Sequence, residues 1–139
     1  SPASRDLRIL IVEDNGPARE VLHALLDLDG HHVAAAADAP AAMELLEFQQ
    51  FDLALIDIGL PNIDGFQLAR MIRTRHEHDS LLLIALTGYG QQEDRRRAAE
   101  AGFDLHLVKP LDFDAFNAIL ADRFKPVSQT NDVLVSTDR

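Results

Sequence analysis

The stretch Phe51-Asp52-Leu53-Ala54-Leu55-Ile56-Asp57-Ile58-Gly59-Leu60-Pro61-Asn62 decides how this chain folds. Its centre is an unbroken apolar run, too short for a buried helix and without apolar and polar alternation. That is the pattern of a strand covered on both faces. The run ends on a carboxylate, Asp57, after which Gly59, Pro61 and Asn62 turn the chain. A doubly covered strand belongs in a parallel sheet, so strand, turn and helix should alternate on either side of it.

Outward from that strand, the alternation recurs. Residues 7–12 form another short apolar run and end at Glu13 and Asp14; Asn15-Gly16-Pro17 then offers a helix cap and an early proline. Val21, Leu22, Leu25 and Leu28 follow at helical spacing, and Gly30 is a stop. Residues 32–36 are a weaker strand. Alanine favours helix, so 33–37 would be helical in isolation, and the surrounding alternation decides for a strand. Asp38-Ala39-Pro40 opens a helix to about Gln49, with Ala42, Leu45 and Leu46 as its apolar face.

Downstream, Leu68, Ala69 and Ile72 line a helix. Residues 81–86 are a strand ending at Thr87-Gly88, and a polar helix holding Glu93, Ala98 and Ala99 runs to Gly102. Residues 103–108 are a strand ending at Lys109-Pro110. A last helix begins near Asp112 and presents Phe116, Ile119 and Leu120. Five strands alternating with five helices predict an α/β layer fold with right-handed crossovers. One domain over residues 7–124 is expected, with 125–139 as a tail, a linker, or a segment ordered by a neighbour.

Composition narrows the function. Thirteen Lys and Arg against 23 Asp and Glu give a net charge of −10, which opposes nonspecific binding to nucleic acid or anionic membrane. With no cysteine, disulfides and thiolate catalysis are excluded. No 18-residue apolar stretch and no basic-then-hydrophobic leader occur, so neither a membrane span nor a retained secretion signal is expected. The chain opens on Ser1, as a processed chain or a piece of a longer polypeptide would. Dinucleotide, nucleotide-loop, nucleophile-elbow and HExxH patterns are all missing. His76 and His78 are spaced poorly for a helical metal pair, and His31 and His32 stand at the entry to a strand; all of these read as surface or boundary residues.

The polar residues at the strand exits are Glu13, Asp14, Asp57, Thr87 and Lys109. Singly, each has a plain explanation: a solvated turn, a helix cap, a surface charge. In an open parallel sheet, however, all these exits lie along one edge, where ligands bind. Three carboxylates gathered there would repel one another unless a hard, oxygen-liganded cation compensates them, and Mg2+ is the natural candidate. A carboxylate nucleophile, a cation, an ammonium and a hydroxyl are the parts of phosphoryl transfer. Asp57, ending the central strand, is then the nucleophile. Glu13 and Asp14 hold the cation, Lys109 offsets charge on the transferring oxygens, and Thr87 meets the phosphoryl product.

At this point the sequence resembles the receiver domain of two-component response regulators. The resemblance runs through Val12-Glu13-Asp14-Asn15, Ile56-Asp57-Ile58-Gly59-Leu60-Pro61, Asp64-Gly65, Ala85-Leu86-Thr87-Gly88 and Val108-Lys109-Pro110. It implies a three-layer, doubly wound, flavodoxin-like fold with a five-stranded parallel sheet in the order 2-1-3-4-5. It also implies phosphorylation of Asp57 by a partner phosphohistidine, Mg2+ held by Glu13, Asp14, Asp57 and the Gly59 carbonyl, and a cis peptide before Pro110. The expected partners are a histidine kinase or a histidine phosphotransfer domain, with an output domain or a second receiver as further candidates. The expected setting is the cytoplasm, either as a solitary regulator or within a membrane-attached hybrid histidine kinase.

Where the family often carries a switch aromatic, this chain has His106, whose neighbours Leu105 and Leu107 favour packing beside the sheet over a pH-sensitive switch. Tyr89 either shields the phosphoryl pocket from water or caps an apolar edge. Arg95-Arg96-Arg97 reads as a solvated basic face rather than a docking site. Two other function classes fit the same residues: an Asp-dependent small-molecule phosphohydrolase, and a docking domain independent of phosphorylation. Against the first, position 59 is glycine rather than the second carboxylate that one common phosphatase design uses.

Overall fold

The computed structural model describes residues 6–88 and 92–124, with the side chains at 76 and 92–94 excepted. These residues fall into two compact units, Asp6–Leu111 and one that holds 112–124. The first unit contains strands β1 (Arg8–Val12), β2 (His32–Ala36), β3 (Leu53–Asp57), β4 (Leu82–Thr87) and β5 (Leu105–Val108). It also contains helices α1 (Gly16–Leu28), α2 (Ala39–Phe48), α3 (Gly65–Arg73) and α4 (Gln92–Ala101), and a short 3-10 turn at His76–His78. All four strand pairings are parallel, in the order β2-β1-β3-β4-β5. This is the doubly wound, flavodoxin-like order that the family resemblance implies.

Local chemistry starts the helices where the sequence marks them. The Asn15 side chain accepts the Ala18 N–H at 2.8 Å, and Asp38 accepts that of Ala41 at 2.9 Å, each with a proline in the first turn. At α3, Asp64 and Gln67 form a reciprocal capping box, each side chain bonding the other's backbone N–H at 2.9 Å.

The strands sort their side chains by alternation. Leu10, Val12, Ala54, Ile56, Leu83 and Ala85 face one cluster with Ala42 and Leu46 of α2, Leu68 and Ile72 of α3, and Ala98 and Ala101 of α4. Ile9, Ile11, Leu53, Leu55 and Ile84, all fully buried, form the opposite face, and α1 packs on β1 and β2. On α1, helical spacing does not translate into burial. Val21, Leu25 and Leu28 form a stripe on the solvent side of α1, 58%, 41% and 83% exposed, while Leu26, off that stripe, is fully buried. The helical period was right, but spacing cannot say which of two apolar stripes turns inward.

The second unit contains α5 (Phe113–Arg123), capped by Asp112, which accepts the Asp114 and Ala115 N–H groups. Phe116 and Leu120 are buried, and Phe116 meets Phe113 edge to face with ring centroids 6.5 Å apart.

His31 lies at the boundary of β2 but not on the surface. It is buried, and its Nδ1 accepts the Leu7 N–H at 3.3 Å. Burial lowers its pKa, partly offset by the charges of Asp29 and Asp6. Neutral His31 therefore contributes stability above the ordinary histidine value of 6.5, and that contribution is lost as pH falls from there toward the lowered folded value. Urea midpoints measured from about pH 7.5 to 5 should fall, and more steeply in the wild type than in His31→Gln. At Gly65, a Cβ would lie 2.5 Å from Ile58 Cα and 2.7 Å from the Asp57 carbonyl oxygen, both backbone atoms. Gly65→Ala should accordingly cost about 3 kcal/mol of unfolding free energy in urea titration, the upper part of the range for overpacking.

Candidate functional site

Parallel pairing brings the polar strand exits to one edge. Val12 lies opposite Ile56, so Glu13 follows β1 level with Asp57; Asp57 itself lies opposite Leu86, and Thr87 opposite Val108. Glu13, Asp57 and Thr87 are buried, whereas Asp14 is exposed. Carboxylate oxygens of Glu13, Asp14 and Asp57 all lie within 4.8 Å of one another.

Lys109 joins the group from β5. Its Nζ is 3.0 Å from Glu13 Oε1 and 3.0 Å from Asp57 Oδ2. Its backbone N–H donates to the Thr87 carbonyl at 2.8 Å, and the Lys109–Pro110 peptide is cis, as the family resemblance implied. Asp57 Oδ1 accepts the Gly59 N–H at 2.9 Å, and Glu13 Oε2 accepts that of Asn15 at 3.1 Å. Thr87 Oγ1 donates to the Leu107 carbonyl at 3.5 Å, long enough to hold the hydroxyl loosely.

Burial raises the Glu13 pKa, and the Asp57 charge adds to this; hydrogen bonds from Lys109 and Asn15 oppose without cancelling it. For Lys109, burial disfavours the ammonium, but its hydrogen bonds and ion pairs with Glu13 and Asp57 outweigh that, and its pKa rises. The ammonium is thus firmly charged, while one carboxylate beside it takes up a proton more readily than a free one.

The donors suit a hard divalent cation: three carboxylates and no sulfur or imidazole, with Asp14 open to solvent for a hydrated ion to approach. A Cβ at Gly59 would lie 3.5 Å from Asp57 Oδ1, an ordinary contact, so the position borders the carboxylate.

His106 lies elsewhere. It is half-buried on β5 opposite Ala85, on the face that α4 covers, and burial followed by the Arg95 charge lowers its pKa. Tyr89 lies outside the described residues. Arg95, Arg96 and Arg97 are exposed, as a solvated face requires, yet the Arg97 guanidinium also stacks 4.1 Å above the centroid of the Phe66 ring. Two contacts had no counterpart in the sequence reading. Arg19 Nη1 donates to the Glu13 carbonyl at 2.8 Å, and Gly65 lets α3 start directly against the Asp57 backbone. An arginine one turn past a helix cap that follows two acids was the available signal for the first.

A family model described as the response regulator receiver domain matches residues 9–121. An uncharacterized 14.6 kDa protein of Leptolyngbya boryana is 38% identical over 104 residues, covering 75% of this chain and 79% of that protein. The sensor protein EvgS of Escherichia coli O157:H7 is 35% identical over 115 residues, which are 83% of this chain but 9% of that much longer protein. Among solved structures, the receiver domain of a sensor histidine kinase from Pseudomonas aeruginosa PAO1 has a magnesium ion coordinated in its active-site cleft. It aligns with a TM-score of 0.77 at 33% identity, covering 86% of this chain and 98% of that one.

Removing the ammonium should expose the repulsion it offsets. With chelator present, Lys109→Met should lower unfolding free energy at about pH 7.5 by about 1–2 kcal/mol, a figure discounted for the 37% exposure of the Lys109 side chain. Lys109 opposes the rise of the Glu13 pKa, so in its absence that pKa goes up further and the folded variant takes up its proton before the wild type does as pH falls. The deficit should therefore shrink toward about pH 5 in urea titrations.

Proposed function

The chain belongs to the response regulator receiver domain family, and from that premise we propose that it is a phosphorylation-controlled switch in which Asp57 accepts a phosphoryl group from a partner phosphohistidine. The observation that carries this is the bridge from Lys109 Nζ to Asp57 Oδ2 and Glu13 Oε1, 3.0 Å each, inside a cluster of three carboxylates. It supports a site built for an anion that arrives at a carboxylate.

The two Asp57 oxygens have different tasks. The Gly59 N–H fixes Oδ1, leaving Oδ2, turned toward Lys109, as the attacking atom. A bond forms from Oδ2 to phosphorus while the phosphorus–nitrogen bond of the donor breaks, and its electron pair leaves on the imidazole. Lys109 shifts from the carboxylates to the phosphoryl oxygens, where its charge is needed. The loosely held Thr87 hydroxyl turns from the Leu107 carbonyl to the same group. Glu13, Asp14, Asp57 and the Gly59 carbonyl would hold Mg2+, which would supply the positive charge that lets three carboxylates and a phosphoryl group share the pocket. Hydrolysis of the acyl phosphate resets Asp57.

The receiver extends over residues 7–124 in this proposal. Its donor is a histidine kinase or histidine phosphotransfer domain, and its setting is the cytoplasm, where such donors act. Among the described residues no helix is long and apolar enough to cross a membrane. The exposed Val21, Leu25 and Leu28 stripe belongs to the helix that starts beside Asp14 and Asn15, so a donor docked on α1 brings its phosphohistidine to the site.

Incubation with candidate phosphohistidine proteins and Mg2+, followed by intact mass, should show one phosphoryl group per chain in the wild type and none in Asp57→Asn. Retention of the group by that variant would reject Asp57 as acceptor. Leu25→Asp should slow transfer from the donor protein about tenfold or more, as expected on breaking an apolar contact at the centre of an interface. Phosphorylation by a small acyl phosphate, which needs no docking, should be unchanged.

A further inference from the structure

We infer that Arg19 is a positioning residue for the cation pocket, holding the turn between β1 and α1 so that the Asp14 carboxylate stays gathered with those of Glu13 and Asp57. The inference takes from the proposed function only the identity of the cation.

Glu13 is fastened at every polar atom. Its N–H donates to the Ala36 carbonyl at 3.0 Å, Oε1 pairs with Lys109 at 3.0 Å, and Oε2 accepts the Asn15 N–H at 3.1 Å. Its carbonyl, just past the end of β1, accepts from Arg19 Nη1 at 2.8 Å. Asp14 differs: its carboxylate is exposed and, among the described residues, has no hydrogen-bond or ion-pair partner. Its direction is inherited from its backbone. The Glu13 carbonyl and the Asp14 amide belong to one rigid peptide plane, so the bond from Arg19 sets the orientation from which the Asp14 side chain leaves the chain.

Arg19 is placed for this by its own helix. Its backbone N–H donates to the Asn15 carbonyl at 2.9 Å in the first turn of α1, and helical side chains lean toward the N-terminus, which here means toward Glu13. The guanidinium is half-buried.

The sign of the effect separates this role from simple charge. A cation beside three carboxylates repels a second cation, so deleting Arg19 as a charge would tighten Mg2+ binding. Deleting it as a positioning group lets Asp14 swing away and weakens binding.

Mg2+ titrations by calorimetry on the full chain, with urea midpoints in chelator and the amide shift of Asp14 by NMR, test this. Arg19→Ala should weaken Mg2+ affinity about tenfold, the lower end for loss of a group that orients a metal ligand, and should move the Asp14 amide signal. Arg19→Lys, which can still reach the carbonyl with a single donor, should recover part of the affinity. Arg19→Gln, without the charge or the reach, serves if the alanine variant does not fold and should weaken binding in the same way. Unchanged or tighter Mg2+ binding in these variants would overturn the inference, even with a lowered urea midpoint, as would the lack of saturable binding in the wild type. Wild-type Mg2+ binding without phosphoryl transfer to Asp57 would reject the acceptor reading and leave the role of Arg19 standing.

Discussion

A single ammonium group holds the site in its resting form. Lys109 reaches from the end of β5 to carboxylates at the ends of β1 and β3, and so ties together three segments separated by most of the chain. Without compensation, the buried Glu13 and Asp57 would face each other and the nearby Asp14 across a few ångströms of partly dry space. That arrangement would favour protonation or separation. With Lys109 between them, the carboxylates stay close and the pocket keeps the shape that a divalent cation and a phosphoryl group need.

The surroundings serve the same constraint. The Gly59 N–H and the Asn15 N–H each take one carboxylate oxygen, so Asp57 and Glu13 keep a fixed oxygen and a differently engaged one. Gly65 lets α3 begin within contact of the Asp57 backbone, and the Asp64–Gln67 capping box secures that start. The oxygens that handle charge are therefore attached to elements packed into the core, while Asp14, left to solvent, depends on its backbone alone. Rigidity and access are divided between neighbouring residues 13 and 14.

Much of this is legible in the sequence. The apolar runs place all five strands to within about two residues, and the Asn15, Asp38 and Asp112 caps mark the starts of α1, α2 and α5, because buried parallel strands and capped helices have local signatures. Gathering Glu13, Asp14, Asp57, Thr87 and Lys109 needed only the rule that parallel strands end on one edge. The reading fell short where two patterns competed. Val21, Leu25 and Leu28 are as periodic as Leu22 and Leu26, and only the sheet beneath α1 decides which stripe it covers. His31 reads as a surface or boundary residue; it is at the boundary but buried, and burial of one side chain before a strand leaves no periodic trace.

The sequence by itself determined the order of elements, the parallel sheet and the identity of the acidic and basic groups at its edge, since each follows from local hydrophobic pattern, capping chemistry and a general topological rule. Only the tertiary structure decided that Lys109 bonds Glu13 and Asp57 together, that Arg19 grips the Glu13 carbonyl, and that one apolar stripe of α1 stays in water. Those are distances between groups remote along the chain or choices between equivalent faces, and they are set by how whole elements pack, which no local pattern encodes.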